Sequence, residues 1–110
     1  MDRVITLTER KRTEAGRRQR AVEALKPVLA DYARKHGGRF ILFGTARRQA
    51  MRYDSDVDIL VDFSPEQDAA AWEFAEHACW ERGLEPDLMR RAWCKPSFLE
   101  HIAADSETLG

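Results

Sequence analysis

FGTARRQAMRYDSDVDILVDF, Phe43 to Phe63, is the stretch whose reading decides the fold. Gly44 and Thr45 are followed by ten residues and then by Asp56-Val57-Asp58, which opens a β-branched, apolar run. Side chains two apart on a strand share a face. Asp56 and Asp58 are therefore expected side by side, with Val57, Ile59, Val61 and Phe63 buried on the opposite face. Adjacent carboxylates repel each other and are depleted in strands, so a divalent cation between them is the natural compensation. A Gly-Thr turn leading from a strand into a helix suits phosphates. Together these residues imply metal-dependent chemistry on a nucleoside triphosphate.

Working outward, Arg39 to Phe43 is a short apolar run that suits a central strand buried on both faces. Upstream, about Thr8 to His36 reads as helix, with Val22, Leu25, Val28, Leu29 and Tyr32 at helical spacing. Pro27 is expected to kink or divide it, and Gly37-Gly38 to stop it. Downstream, Ser64 and Pro65 open a helix as cap and first residue, with Ala71, Phe74, Ala75 and Ala78 inward and Gly83 at its end. Glu85 to Met89 reads as a third short strand, and Ser97 as the cap of a last helix reaching about Ala104. A short helix is expected from Thr45 to about Ala50, and Asp105 to Gly110 carries no signal. The expected fold class is α/β: one domain over 1–110, a short mixed sheet with helices packed mainly on one face, and a helical N-terminal segment at about 8–36.

Composition narrows the class. The chain has 110 residues, 44% hydrophobic and 34% charged, which fits a single globular core. No apolar run approaches a membrane span and MDRVITLTERKR has no signal-peptide core, which points to the cytoplasm. Cys79 and Cys94 lack CxxC or His-rich surroundings and read as thiols rather than a disulfide or zinc site. Residues 1–20 carry seven Lys/Arg against three acids. Such an arm fits nucleic acid, but a solvated helix face with Glu/Arg pairing explains it as well. Nucleic acid is not expected as a partner except through this basic N-terminal segment. His36, His77 and His101 share no ligand spacing. Trp72, Trp80 and Trp93 read as core or interface, and Trp80 and Trp93, flanking the third strand, fit a partner surface.

A third acid would complete the site. Asp87, in Glu-Pro-Asp-Leu-Met, can project beside Asp56 and Asp58 if its strand neighbours theirs. Three carboxylates can hold two Mg²⁺ ions, or Mn²⁺, for in-line phosphoryl displacement. Asp87, toward the acceptor side, is the candidate general base. Asp54 and Asp62 read as solvated acids at strand ends.

Phe-Gly-Thr-x10-Asp-x-Asp followed by Gly83-x-x-Pro-Asp87-Leu-Met resembles the minimal nucleotidyltransferase family of the polymerase-beta superfamily. That family's pattern is Gly-Ser, ten residues, Asp-x-Asp, then Gly-x-x-Val-Asp-Leu-Val, and the resemblance covers about Arg39 to Met89. It implies that Gly44 and Thr45 hold the triphosphate of ATP, with Arg48 matching a basic residue of the family's turn, and that Asp56, Asp58 and Asp87 bind the metals. Thr45 replaces serine, Gln49 replaces a glycine, and Pro86 replaces an apolar residue. Because Pro86 cannot donate a strand hydrogen bond, its strand is expected at or near a sheet edge. Proteins of this family and size often act as antitoxins to HEPN-domain ribonuclease toxins, so the resemblance implies AMP transfer from ATP to a tyrosine of a HEPN-type toxin, in a homo- or hetero-oligomer. The alternatives are an antibiotic-type small-molecule nucleotidyltransferase and an inactive toxin-binding module.

Overall fold

A computed structural model describes residues 7–44 and 57–110. The chain runs α1 (Leu7–His36), β1 (Arg39–Phe43), β2 (Val57–Asp62), α2 (Pro65–Glu81), β3 (Pro86–Arg90), a 3-10 turn (Arg91–Trp93), α3 (Pro96–Ala103) and β4 (Ser106–Leu109). The sheet order is β3-β2-β1-β4. β1 pairs antiparallel with β2 and β4, while β2 and β3 are parallel. This is the small mixed α/β sheet that the sequence implies. Among the described residues β3 is an edge strand, as Pro86 at its start predicts.

The strands' period of two sorts their residues onto two faces. On one, Phe40 and Leu42 of β1 and Val57, Ile59 and Val61 of β2 are buried under Val22, Leu25, Leu29 and Ala33 of α1. α2 adds Ala71, Ala75, Ala78 and Cys79 to the same core. These are small side chains at helical spacing, which lets the helix lie close on the strands. Tyr32, Phe40, Phe63 and Phe74 close one end, with Tyr32 stacked on Phe74 at a 4.1 Å centroid distance. The other face carries Ile41, Phe43 and Leu60, with α3 laid over part of it. Phe98 of α3 meets Phe43 edge-on at 5.9 Å.

Several details differ from expectation. Pro27 sits inside α1 without dividing it. Its missing donor forfeits one helical hydrogen bond, but Leu25 and Leu29 on either side are buried and hold the helix to the sheet. Ser64 occupies the N-cap of α2 with extended backbone, yet its side chain makes no capping bond; its carbonyl accepts from Gln67 N–H at 2.9 Å instead. The last helix starts one residue earlier than Ser97, at Pro96, with Lys95 as the cap position. Ser106 to Leu109, where no element is expected, forms β4. Only Leu109 is buried there, so the segment lacks the apolar alternation that announces a strand. Lys26 of α1 ties it down, 3.2 Å from Glu107 and 3.0 Å from Glu23. No helix among the described residues is long and apolar enough to cross a membrane.

Candidate active site

Asp58 lies on β2 between buried Val57 and Ile59, so the strand's alternation turns its side chain to the face opposite the α1–α2 core. On one side its register partner is Phe43 of β1, and on the other it is Asp87 of β3. Register partners share a face, so two carboxylates stand side by side on neighbouring strands, which lie about 5 Å apart. The expected adjacency of the Asp58 and Asp87 strands is thus present. Val57 N–H, donating to Glu85 carbonyl at 2.9 Å, fixes the start of that pairing. Asp87 is exposed and Asp58 half-buried. Like charges so placed disfavour each other, and a cation between them would offset that.

Gly44 ends β1 beside this pair with φ of +72°. A Cβ there would lie 2.5 Å from Asp58 Oδ2, well inside contact distance. Glycine is therefore required twice, by the left-handed backbone and by the approach of the carboxylate. The turn and the acid form one unit, as their shared placement in the sequence implies. Hard oxygen donors of this kind fit Mg²⁺ or Mn²⁺. Among the described residues no group of three His, Cys, Asp or Glu is placed to hold a metal. Asp56, Thr45 and Arg48, together with Asp54 and the expected helix from Thr45 to Ala50, lie outside the described residues.

Asp62, two residues beyond Leu60 on the same face, is not simply solvated. It accepts from Arg39 Nε at 2.6 Å and lies 3.8 Å from Arg91, so it serves the sheet rather than a metal. The three histidines stay apart: His36 packs on Tyr32 at 4.1 Å, and His77 lies 5.7 Å from Trp80. Cys79 and Cys94 are free thiols. Cys79 is buried, and that burial pushes its thiol up to about 12, with the Arg82 charge pulling weakly the other way.

Two features near the acids escape sequence reading. Phe43 and Phe98 form an apolar wall beside Asp58. At the far end of β3, Arg90 lies between two indoles, 4.3 Å from the Trp72 ring centre and 4.7 Å from that of Trp93. Its Nε meets Asp68 at 2.5 Å. The only signal was the recurrence of Trp around Arg90, which becomes informative once α2 is known to pass β3.

The family model described as nucleotidyltransferase domain matches residues 22–105. No curated protein and no solved structure matches the chain significantly. The matched span holds β1, the Gly44 turn, β2 and β3, and thus the paired Asp58 and Asp87 with the glycine that makes room for them. The chain belongs to the nucleotidyltransferase domain family of the polymerase-beta-like superfamily, whose members transfer nucleotidyl groups and generally use nucleoside triphosphates and divalent metals.

Proposed function

We propose that this protein moves AMP from ATP to a hydroxyl of a partner protein, a tyrosine of a HEPN-type ribonuclease toxin, and acts as its antitoxin. The observation that carries the reading is the in-register pair Asp58 and Asp87, with Asp87 exposed on an edge strand. An acceptor on another protein can reach a carboxylate placed there without entering a closed pocket. A small-molecule acceptor would need walls on that side.

Asp56, Asp58 and Asp87 would hold two Mg²⁺ ions, which would lower the pKa of the acceptor hydroxyl and neutralise the departing pyrophosphate. Gly44 and Thr45 would hold the triphosphate through the turn, with Arg48 adding positive charge. The acceptor oxygen forms a bond to the α-phosphorus, the α–β phosphoanhydride bond breaks, pyrophosphate leaves, and the hydroxyl proton passes to the Asp87 carboxylate. Phe43, the register partner of Asp58, and Phe98 packed on it put apolar surface on the β1 side.

The test is incubation with labelled ATP, Mg²⁺ and a HEPN-domain partner, followed by mass spectrometry. A 5′-AMP adduct on a tyrosine is expected, lost by orders of magnitude in Asp87→Asn while the pair still co-purifies. Wild-type transfer by Asp87→Asn would remove Asp87 as base and ligand. Tight binding without an adduct would favour an inactive binding module.

A further inference from the structure

Among the described residues β3 is paired on one side only. Its other edge offers strand donors and acceptors beside Asp87, and such an edge is completed by another extended segment. At the end of the strand farthest from Pro86, Trp72, Leu88, Met89, Arg90, Trp93 and Cys94 line a groove of about 240 Å³. Trp93 is 78% exposed there. The Arg90 charge is already met by Asp68 and by two ring faces, so the groove suits an apolar or aromatic side chain rather than an anion. The charge that remains at this end is positive. Arg91, 3.8 Å from Asp62, turns instead to the α3 face beside Leu60 and Ile102. Lys95 is exposed and makes no ion pair among the described residues. The opposite end of β3 carries the acids Glu85 and Asp87.

We propose that the free edge of β3 is the docking rail for the acceptor: an extended segment of the partner protein pairs with it, its hydroxyl residue opposite Asp87 and an apolar or aromatic residue three positions away in the Trp93 groove. Beside that anchor the segment carries an acidic residue facing Lys95. The spacing follows from the strand. Asp87 and Arg90 are three residues apart, roughly 10 Å, and lie on opposite faces. A hydroxyl beside Asp87 therefore puts the third residue along on the face of Trp72 and Arg90. This rests on the proposed transfer to a protein, and it names the recognition element of that substrate.

The test uses the full chain and nonapeptides holding one tyrosine, a phenylalanine three residues to either side, and a neighbouring glutamate. Amide hydrogen exchange at residues 87–90 reads docking, and incorporation of labelled AMP reads transfer. Protection of β3 is expected, with binding weakened about tenfold or more when the peptide phenylalanine becomes alanine or in Trp93→Ala. Lys95→Glu should reverse the preference for glutamate over lysine in the peptide. Both protein changes fall on exposed side chains, so folding is retained. Unchanged β3 exchange with every peptide at millimolar concentration would overturn the docking rail, even if a whole partner is modified. β3 protection without AMP transfer would overturn the proposed reaction and leave the rail standing. Protection, in the protein alone, of the β3 amides that point away from β2 would overturn it too. Protection lost on dilution would identify a second copy as the cover.

Discussion

The two faces of β2 are built from alternate residues of one hexapeptide and obey different rules. Val57, Ile59 and Val61 are dry, apolar and packed under α1 and α2. Asp58 and Asp62 face the other way, one beside a second carboxylate and one between two arginines. α3, the helix on that side, has no buried residue. Most of the apolar core thus lies on one face, while the other, where Leu60 and Phe43 are also buried, carries the acids as well.

This contrast can be broken in four places, taken from the largest expected effect down. Asp58→Asn should lower nucleotidyl transfer by orders of magnitude and leave the protein folded, because this side chain faces away from the α1–α2 core. A variant that melts much lower would show that the acid also supports the sheet. Ile59→Ala, one residue away, should reverse the pattern, costing about 2–5 kcal/mol in denaturant unfolding while the folded fraction keeps its activity.

Cys79 tests how dry the covered face is. Its thiol is held protonated in the native state to about 12 against an ordinary 9.0. The unfolded chain therefore releases this proton first as pH rises. The contribution is fully present below pH 9 and is lost between pH 9 and about 12, at roughly 1 kcal/mol per pH unit. Cys79→Ala should flatten that alkaline decline, as read by urea unfolding across the window; an unchanged slope would place the decline elsewhere. The smallest effect is expected on the loosely covered face, where Ile102→Ala in α3 should cost about 1 kcal/mol or less. A cost matching that of Ile59→Ala would mean that α3 is as much core as α1.

The sequence was most legible where chemistry and periodicity coincide. β2 announces itself because Val57, Ile59 and Val61 alternate with acids, and β1 because its apolar run is bounded by Gly38 and Gly44. Asp87 could be joined to Asp58 because Pro86 marks an edge and Gly83 marks the end of α2. β4 was hidden because Ser106, Glu107 and Thr108 have no apolar partner pattern; the strand is secured by pairing with β1 and by Lys26, both distant in sequence. The same reason hides Asp62, whose partners Arg39 and Arg91 lie 23 and 29 positions away. Arg90 between its indoles depends on α2 crossing β3, which no local rule states. Thr45, Arg48 and Asp56 remain readings of sequence alone.

The pairing of Asp58 with Asp87 across parallel strands has one more consequence. A slip of β3 by a single residue would turn Asp87 toward the helices and bring Leu88 beside Asp58. Backbone pairing would survive such a slip, and circular dichroism would scarcely notice it, but the acids would be parted. Turnover is therefore a ruler for this sheet, able to report a displacement of about 3.3 Å that bulk probes of folding would miss. Substitutions at Glu85 or Pro86, where the strand begins, can be sorted with it: those that shift alignment silence the protein while leaving it folded, and those that merely loosen the strand do not.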